Sequence, residues 1–177
     1  MILTAAAVGV GVSAWQWKRK IATPYDAAFR EASRQTGVPV SILKGVAWVE
    51  STITPKPKRS YAGAGSMMQF MPATARGEYG LTLEQLEADP ALSILTGGKY
   101  LAKLRSDSTR PNWDYTFRSY NAGLHGNRED PDVVKYSKNV QTAAALFWMD
   151  DILPFEFVPA TDWRKQIEAE YKQTQKA

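Results

Sequence analysis

The 177-residue sequence contains no cysteine and a single histidine, His125. The first absence excludes a disulfide framework and thiolate metal sites; the second leaves no cluster of imidazole ligands. No thiolate or imidazole metal site is therefore expected. Alternating apolar and polar runs of strand length are missing, so a sheet has nothing to grow from. Charge of one sign is also scarce: 22 basic residues against 18 acidic ones give a net charge of +4. The basic residues are scattered rather than gathered in a stripe, which argues against a nucleic-acid partner. A mild positive excess does suit an anionic polymer.

What is present reads as helices around one core. Thr23-Pro24-Tyr25-Asp26 has a capping threonine, a proline for the first helical position and an acid in the first turn. Tyr25, Ala28, Phe29 and Ala32 follow at helical spacing up to Gly37. Ser41 to Ser51 forms a second helix with Ile42, Val46 and Val49 as its expected buried stripe. Thr52 to Ala62, with Pro55 and Pro57, is a loop. Further helices are expected over Pro72–Tyr79, Leu81–Ala88, Pro90–Arg105, Asn112–Tyr120 and Asp132–Trp148, and the fold class is all-α. In the fifth of these seven, Gly97-Gly98 would permit close helix packing.

The two ends differ in character. Residues 2–17 are almost uncharged and precede Lys18-Arg19-Lys20. Sixteen residues fall short of the roughly 20 that a span requires, yet Trp15 and Trp17 beside basic residues look interfacial. We expect three parts: residues 1–20 as a membrane- or signal-like segment, 21–149 as the helical domain, and 150–177 as a C-terminal extension. Within the last, Asp162 is the expected cap of a helix carrying Trp163, Ile167 and Tyr171. That extension either straps the domain or docks on a partner.

One carboxylate stands out. Glu50 closes the apolar run Val46-Ala47-Trp48-Val49, and helical spacing stacks it above Leu43 and Ala47. A carboxyl group in apolar surroundings resists ionisation and becomes a proton donor near neutral pH. By itself, a Glu ending an apolar helix is more often a surface residue.

Downstream segments change the balance. Glu50-Ser51 is followed by Gly63-Ala64-Gly65-Ser66-Met67-Met68-Gln69-Phe70-Met71-Pro72, by Ser119-Tyr120-Asn121-Ala122-Gly123, and by Tyr136-Ser137-Lys138-Asn139-Val140. This order resembles the soluble lytic transglycosylases, peptidoglycan-cutting enzymes of goose-lysozyme-like fold, over about residues 25 to 148. Two positions depart from the family pattern: Ser66 stands where a glycine is usual, and Ser119 where an alanine is.

The resemblance implies a mechanism and a site that need no metal or cofactor. Glu50 would protonate the oxygen joining N-acetylmuramic acid to N-acetylglucosamine, then take the proton of the muramic 6-hydroxyl as a 1,6-anhydro ring closes. Met68 and Gln69 would line the cleft, Tyr120 and Asn121 would lie beside the acid, and Tyr136 would adjust its pKa or touch substrate. Ser51 is open between a sugar contact and a helix cap. Read without the family, Met67, Met68, Phe70 and Met71 are core residues, and Asn121 to Gly123 is a helix stop.

Two rivals follow from the same residues. A hydrolytic muramidase would need a second carboxylate, for which Glu78, Asp107, Asp114 and Glu129 are the candidates. A non-catalytic wall-binding or virion-structural protein would keep the cleft without the chemistry. The expected partners are peptidoglycan glycan strands, with a membrane, virion or secretion-apparatus proteins engaged through the two ends. The expected location is the cell envelope, by anchoring or export, or a virion acting on a host envelope.

Overall fold

The computed structural model describes residues 22–123, 125–152 and 161–176. The apolar segment 2–17 therefore lies outside the described residues. Among the described residues, no helix is long and apolar enough to cross a membrane.

The described residues form eight α-helices and one 3₁₀ helix: α1 (Asp26–Thr36), α2 (Val40–Ser51), α3 (Pro72–Tyr79), α4 (Leu83–Ala88), α5 (Pro90–Ser106), α6 (Trp113–Ala122), α7 (Pro131–Leu146), the 3₁₀ helix Trp148–Asp151, and α8 (Trp163–Thr174). Only an isolated bridge, Gly65 to Phe70, has β character among these residues. The local signals act as anticipated at several ends. Pro72 and Pro90 each open a helix, where the missing N–H has no intrahelical partner to lose, and Pro131 does the same one residue ahead of the expected start at Asp132. Gly80 stops α3 in the left-handed region at φ 65°.

Several boundaries shift by a residue or two, and α7 ends at Leu146 rather than at the expected Trp148, which opens the 3₁₀ helix; two further shifts have clear local causes. The first helix starts at Asp26, with Tyr25 at its cap position and no side-chain cap. Thr23 instead donates both its N–H and its hydroxyl to Asp26 Oδ1, at 2.9 and 2.7 Å. The fourth helix starts at Leu83 because Thr82 and Gln85 form a reciprocal capping box.

Helix α2 runs through the centre, packed chiefly on α7, while α1 packs on α5 and α6 on both α5 and α7. Its buried side is not the Ile42–Val46–Val49 stripe, since Ile42 and Val49 are only partly buried. Leu43, Val46 and Ala47 fill the core completely, and Lys44 lies among them with no exposed surface. The Lys44 ammonium is 2.7 Å from Asp26 and 2.7 Å from Asp150, both buried. A buried cation is tolerated only when paired in this way.

Glycine sets the tightest approaches. A Cβ on Gly45 would lie 2.8 Å from the backbone nitrogen of Ala144, so α2 and α7 touch backbone to backbone there. The Gly97-Gly98 pair works as expected. A Cβ on Gly97 would meet Met68 Cε at 2.5 Å, and one on Gly98 would meet Thr36 Oγ1 at 3.1 Å.

Beyond α7, the chain stays with the same body. Asp150 belongs to the Lys44 cluster, Ser41 donates its N–H to Asp151 at 3.0 Å, and Trp163 and Ile167 of α8 are buried in the core.

Candidate active site

The site is built from one helix end, one strained loop and one facing helix. Glu50 is the penultimate residue of α2, one turn beyond buried Val46 and Ala47. The close crossing at Gly45 and Ala144 brings α7 alongside, and the antiparallel run places Tyr136 opposite the carboxyl group. Its phenol donates to Glu50 Oε1 at 2.5 Å.

Burial pushes the Glu50 carboxyl up to about 7, and the Tyr136 hydrogen bond, which favours the carboxylate, opposes part of that rise. Tyr136 itself is held well above its usual range, first by burial and then by the nearby Glu50 charge. Tyr120 is raised for the same two leading reasons. Both phenols thus remain neutral donors around a carboxyl group poised between its two states at neutral pH.

The loop from Gly63 to Phe70 reverses on itself, closed by Gly65 N–H to the Phe70 carbonyl at 3.0 Å. Ser66 and Gln69 take left-handed conformations at φ 68° and 49°. Left-handed backbone costs a non-glycine residue about 1–2 kcal/mol. At Ser66, where the family pattern usually has glycine, the hydroxyl is buried and receives a hydrogen bond from Ser93 Oγ at 3.1 Å. The serine thus exchanges conformational ease for a tie between this loop and α5.

The residues singled out by sequence fall into three groups. Glu50 and Tyr136 are joined directly. Tyr120 is beside them, its hydroxyl donating to the Met68 carbonyl at 2.8 Å. Gln69, Tyr120 and Asn121 line one hollow with Phe70, Met71 and Tyr100. Gln69 donates from Nε2 to the Ser66 carbonyl at 3.2 Å, while Asn121 stands exposed on the rim.

Met68 and Ser51 are placed differently. The Met68 side chain is fully buried against Gly97, so its carbonyl rather than its thioether faces Tyr120. The Ser51 hydroxyl bonds the carbonyls of Met67 and Ala47 at 2.8 and 3.1 Å and accepts the Thr54 N–H at 3.1 Å. It clamps the end of α2 to the Ser66–Gln69 loop.

The four other carboxylates bond elsewhere. Glu78 pairs with Lys103. Asp114 accepts from Ser137 at 2.7 Å and pairs with Arg118 at 2.8 Å. Glu129 also pairs with Arg118, at 2.9 Å, and Asp107 accepts from Ser106 Oγ at 3.1 Å. No carboxylate figures among the groups that act on Glu50, namely its apolar surroundings and Tyr136.

Some contributors escaped sequence reasoning. Tyr100 lies 5.4 Å from Tyr120, ring centre to ring centre, and shares the hollow. Its position on a long helix resembled that of any core aromatic. Ser119, the other departure from the family pattern, accepts from Arg128 Nε at 2.8 Å, and Arg128 also donates to the Gly126 carbonyl at 3.2 Å. The extra hydroxyl thus anchors the loop after α6. A hollow of about 690 Å³ lies off the acid, between the end of α2 and α8, over Trp48, Val49 and Tyr171. Arg164, Glu168 and Lys172 of α8 ring these aromatic and aliphatic side chains.

The chain is similar to known proteins over most of its length. The family model "Transglycosylase SLT domain" matches residues 27–145. The peptidoglycan transglycosylase gp16 of Escherichia phage T7 is 32% identical over 127 residues, covering 70% of this chain and 9% of the relative. Among solved structures, an inactive mutant of lytic transglycosylase Slt from Pseudomonas aeruginosa superposes with a TM-score of 0.60 at 22% identity, covering 71% of this chain and 24% of the other. The 70-kDa soluble lytic transglycosylase of Escherichia coli gives a TM-score of 0.50 at 25% identity, over 85% of this chain and 24% of that one. The chain thus spans about a tenth of the phage relative and a quarter of the two solved enzymes. Its all-α fold is lysozyme-like, as theirs is, and with the family model covering most of its length the chain belongs to the transglycosylase SLT domain family.

Proposed function

We propose that the chain is a peptidoglycan lytic transglycosylase in which Glu50 serves as acid and then as base. The observation that carries this reading is the pairing of a carboxyl group raised to about 7 with a phenol donor and, among the described residues, no second carboxylate acting on it. At neutral pH a large share of Glu50 is protonated and can give its proton to the bridging oxygen as the bond to the muramic C1 breaks. The substrate's acetamido group stabilises the developing cation. The Glu50 carboxylate, held by Tyr136, then takes the 6-hydroxyl proton while that oxygen bonds C1. The ring closes, Glu50 regains its proton, and water is not consumed.

The supporting side chains divide the work. Gln69 offers an acceptor and a donor to hydroxyl or acetamido groups, Asn121 offers an amide from the rim, and Tyr120 offers a ring edge. Ser51 and Met68 act through the backbone they fix. The phage relative supports peptidoglycan as the substrate and favours a virion component acting on a host envelope.

A hydrolytic muramidase is the nearest rival, and the products separate the two. A tethered hydroxyl acts at high effective concentration and needs no second carboxylate, so digestion of purified peptidoglycan should give 1,6-anhydromuramic ends. Mass spectrometry would find them one water lighter than reducing ends and inert to borohydride. Mostly reducible muramic ends would overturn the reading.

A further inference from the structure

The end of α2 is shaped by residues that disfavour its shape. Thr52 and Ile53 are both β-branched, yet they occupy the left-handed region at φ 54° and 55°. That conformation is rare for such side chains and persists only where surroundings enforce it. It lies two and three residues after Glu50, immediately beyond the Ser51 clamp.

Ile53 is fully buried, and the Thr52 and Ile53 N–H groups bond the Trp48 and Ala47 carbonyls at 2.8 and 3.0 Å; a further hold comes from α8, outside the matched family segment. Arg164 donates from Nη2 to the Ile53 carbonyl at 3.1 Å and from Nε to the Thr52 carbonyl at 3.3 Å. Its guanidinium lies 4.3 Å from the Trp163 ring centre. Trp163 and Ile167 are buried, so α8 is fixed to the core beneath this contact. A second tether joins the same helices where the Tyr171 ring meets Trp48 edge-on, centroids 6.5 Å apart. Trp48 precedes Glu50 by two residues.

We propose that Arg164 is a positioning residue for Glu50: by holding the Thr52 and Ile53 carbonyls it fixes the reversed end of α2 and keeps the carboxyl group in its apolar setting. A cation at the end of a helix also meets the unpaired carbonyls and the negative end of the dipole. The planar fork of arginine reaches two carbonyls at once, which a lysine ammonium matches only in part. An exposed arginine is ordinarily a solvated charge; two carbonyl bonds and an aromatic stack set this one apart.

The inference rests on the reading of Glu50 as the acid, and two measurements keep them separate. The ¹³C NMR titration of the Glu50 carboxyl and the turnover of soluble glycan strands are followed in the intact chain and its variants. Arg164→Ala should lower kcat about three- to tenfold while KM stays within about twofold, because positioning rather than binding is lost. The Glu50 midpoint should fall from about 7 toward the ordinary carboxylate range as water reaches it. Arg164→Lys should restore part of both. Ile167→Val, a core change on the same helix, should lower Tm without moving either reading. Should Arg164→Ala lose its fold, Arg164→Gln is carried through the same readings. A folded Arg164 variant with parental kcat and Glu50 midpoint would overturn the proposal. So would Ile167→Val moving both as far as the arginine variant at equal loss of Tm. A parent chain that cleaves no glycan would refute the catalytic reading instead, and the NMR titration would still decide the positioning.

Discussion

The Tyr136 phenol and the Glu50 carboxyl group, 86 residues apart in sequence, share a hydrogen bond of 2.5 Å. Each modifies the other: the bond lowers the pKa that burial has raised, and the Glu50 charge helps to keep the phenol protonated.

Tyr136→Phe tests that relation. It removes the one contact that favours the carboxylate, so the Glu50 pKa should climb above about 7. The acid would then persist to higher pH while the base for ring closure becomes less well held. We expect the alkaline limb of the pH–rate profile to move upward and kcat to fall by about tenfold. An unmoved alkaline limb would show that the bond has no share in setting the pKa.

Glu50→Gln should abolish activity while stabilising the protein above neutral pH. The parental carboxyl group has a pKa raised from 4.5 to about 7, so the folded state binds the proton more tightly than the unfolded chain. Stability is therefore fully present below pH 4.5 and falls as the pH rises to about 7. The glutamine avoids that loss and still accepts from Tyr136. Urea denaturation should show the two proteins converging at pH 4, with the variant ahead by on the order of 2 to 3 kcal/mol at pH 8. A variant less stable than its parent at pH 8 would contradict the buried-acid description.

Gly45→Ala probes the helix crossing that brings Tyr136 to Glu50. The new methyl would stand 2.8 Å from the Ala144 nitrogen, and backbone cannot rotate away as a side chain can. Forcing α2 and α7 apart should cost about 1–3 kcal/mol and weaken the phenol contact. Thermal denaturation measures the first effect and the pH–rate profile the second. Unchanged Tm would mean that the crossing is looser than the geometry describes.

Ser66 provides a ranking test. Replacing it by glycine relieves the φ 68° strain but loses the bond with Ser93, so the net change should stay within about 1 kcal/mol. Ser66→Ala loses the bond and keeps the strain, and should be less stable than the glycine variant by about 1 kcal/mol. The reverse order by urea denaturation would exclude backbone strain as the governing factor.

Much of this organisation can be read from the chain. Helix boundaries at Pro72, Gly80, Pro90 and Gly37 are local, because a fixed φ or a tolerated left-handed φ acts within one turn. Glu50, Gln69, Tyr120 and Tyr136 were legible because four ordered motifs surround them. Lys44 was not, since a lysine in an apolar helix acquires its meaning only from Asp150, 106 residues away. Gly45 carries no local signal of its role, because Ala144, which stands against it, is remote in the sequence. Met68 and Ser51 show the opposite limit. Their motif was recognisable, but whether a side chain faces the cleft or the core depends on loop geometry set by Ser66 and Gln69.

The cluster at Lys44 has a consequence for how the molecule comes apart. Asp26 opens the first helix and Asp150 follows the last helix of the matched segment, and both carboxylates meet on one buried ammonium from the central helix. Fraying from either end would strand opposite charges in an oily interior, a penalty that ordinary chain ends escape. The two ends should therefore let go together with the middle. In hydrogen exchange, the amides of α1 and of the 3₁₀ turn would open with the slow global event that exposes α2, and the domain would behave as one cooperative unit without early-melting edges.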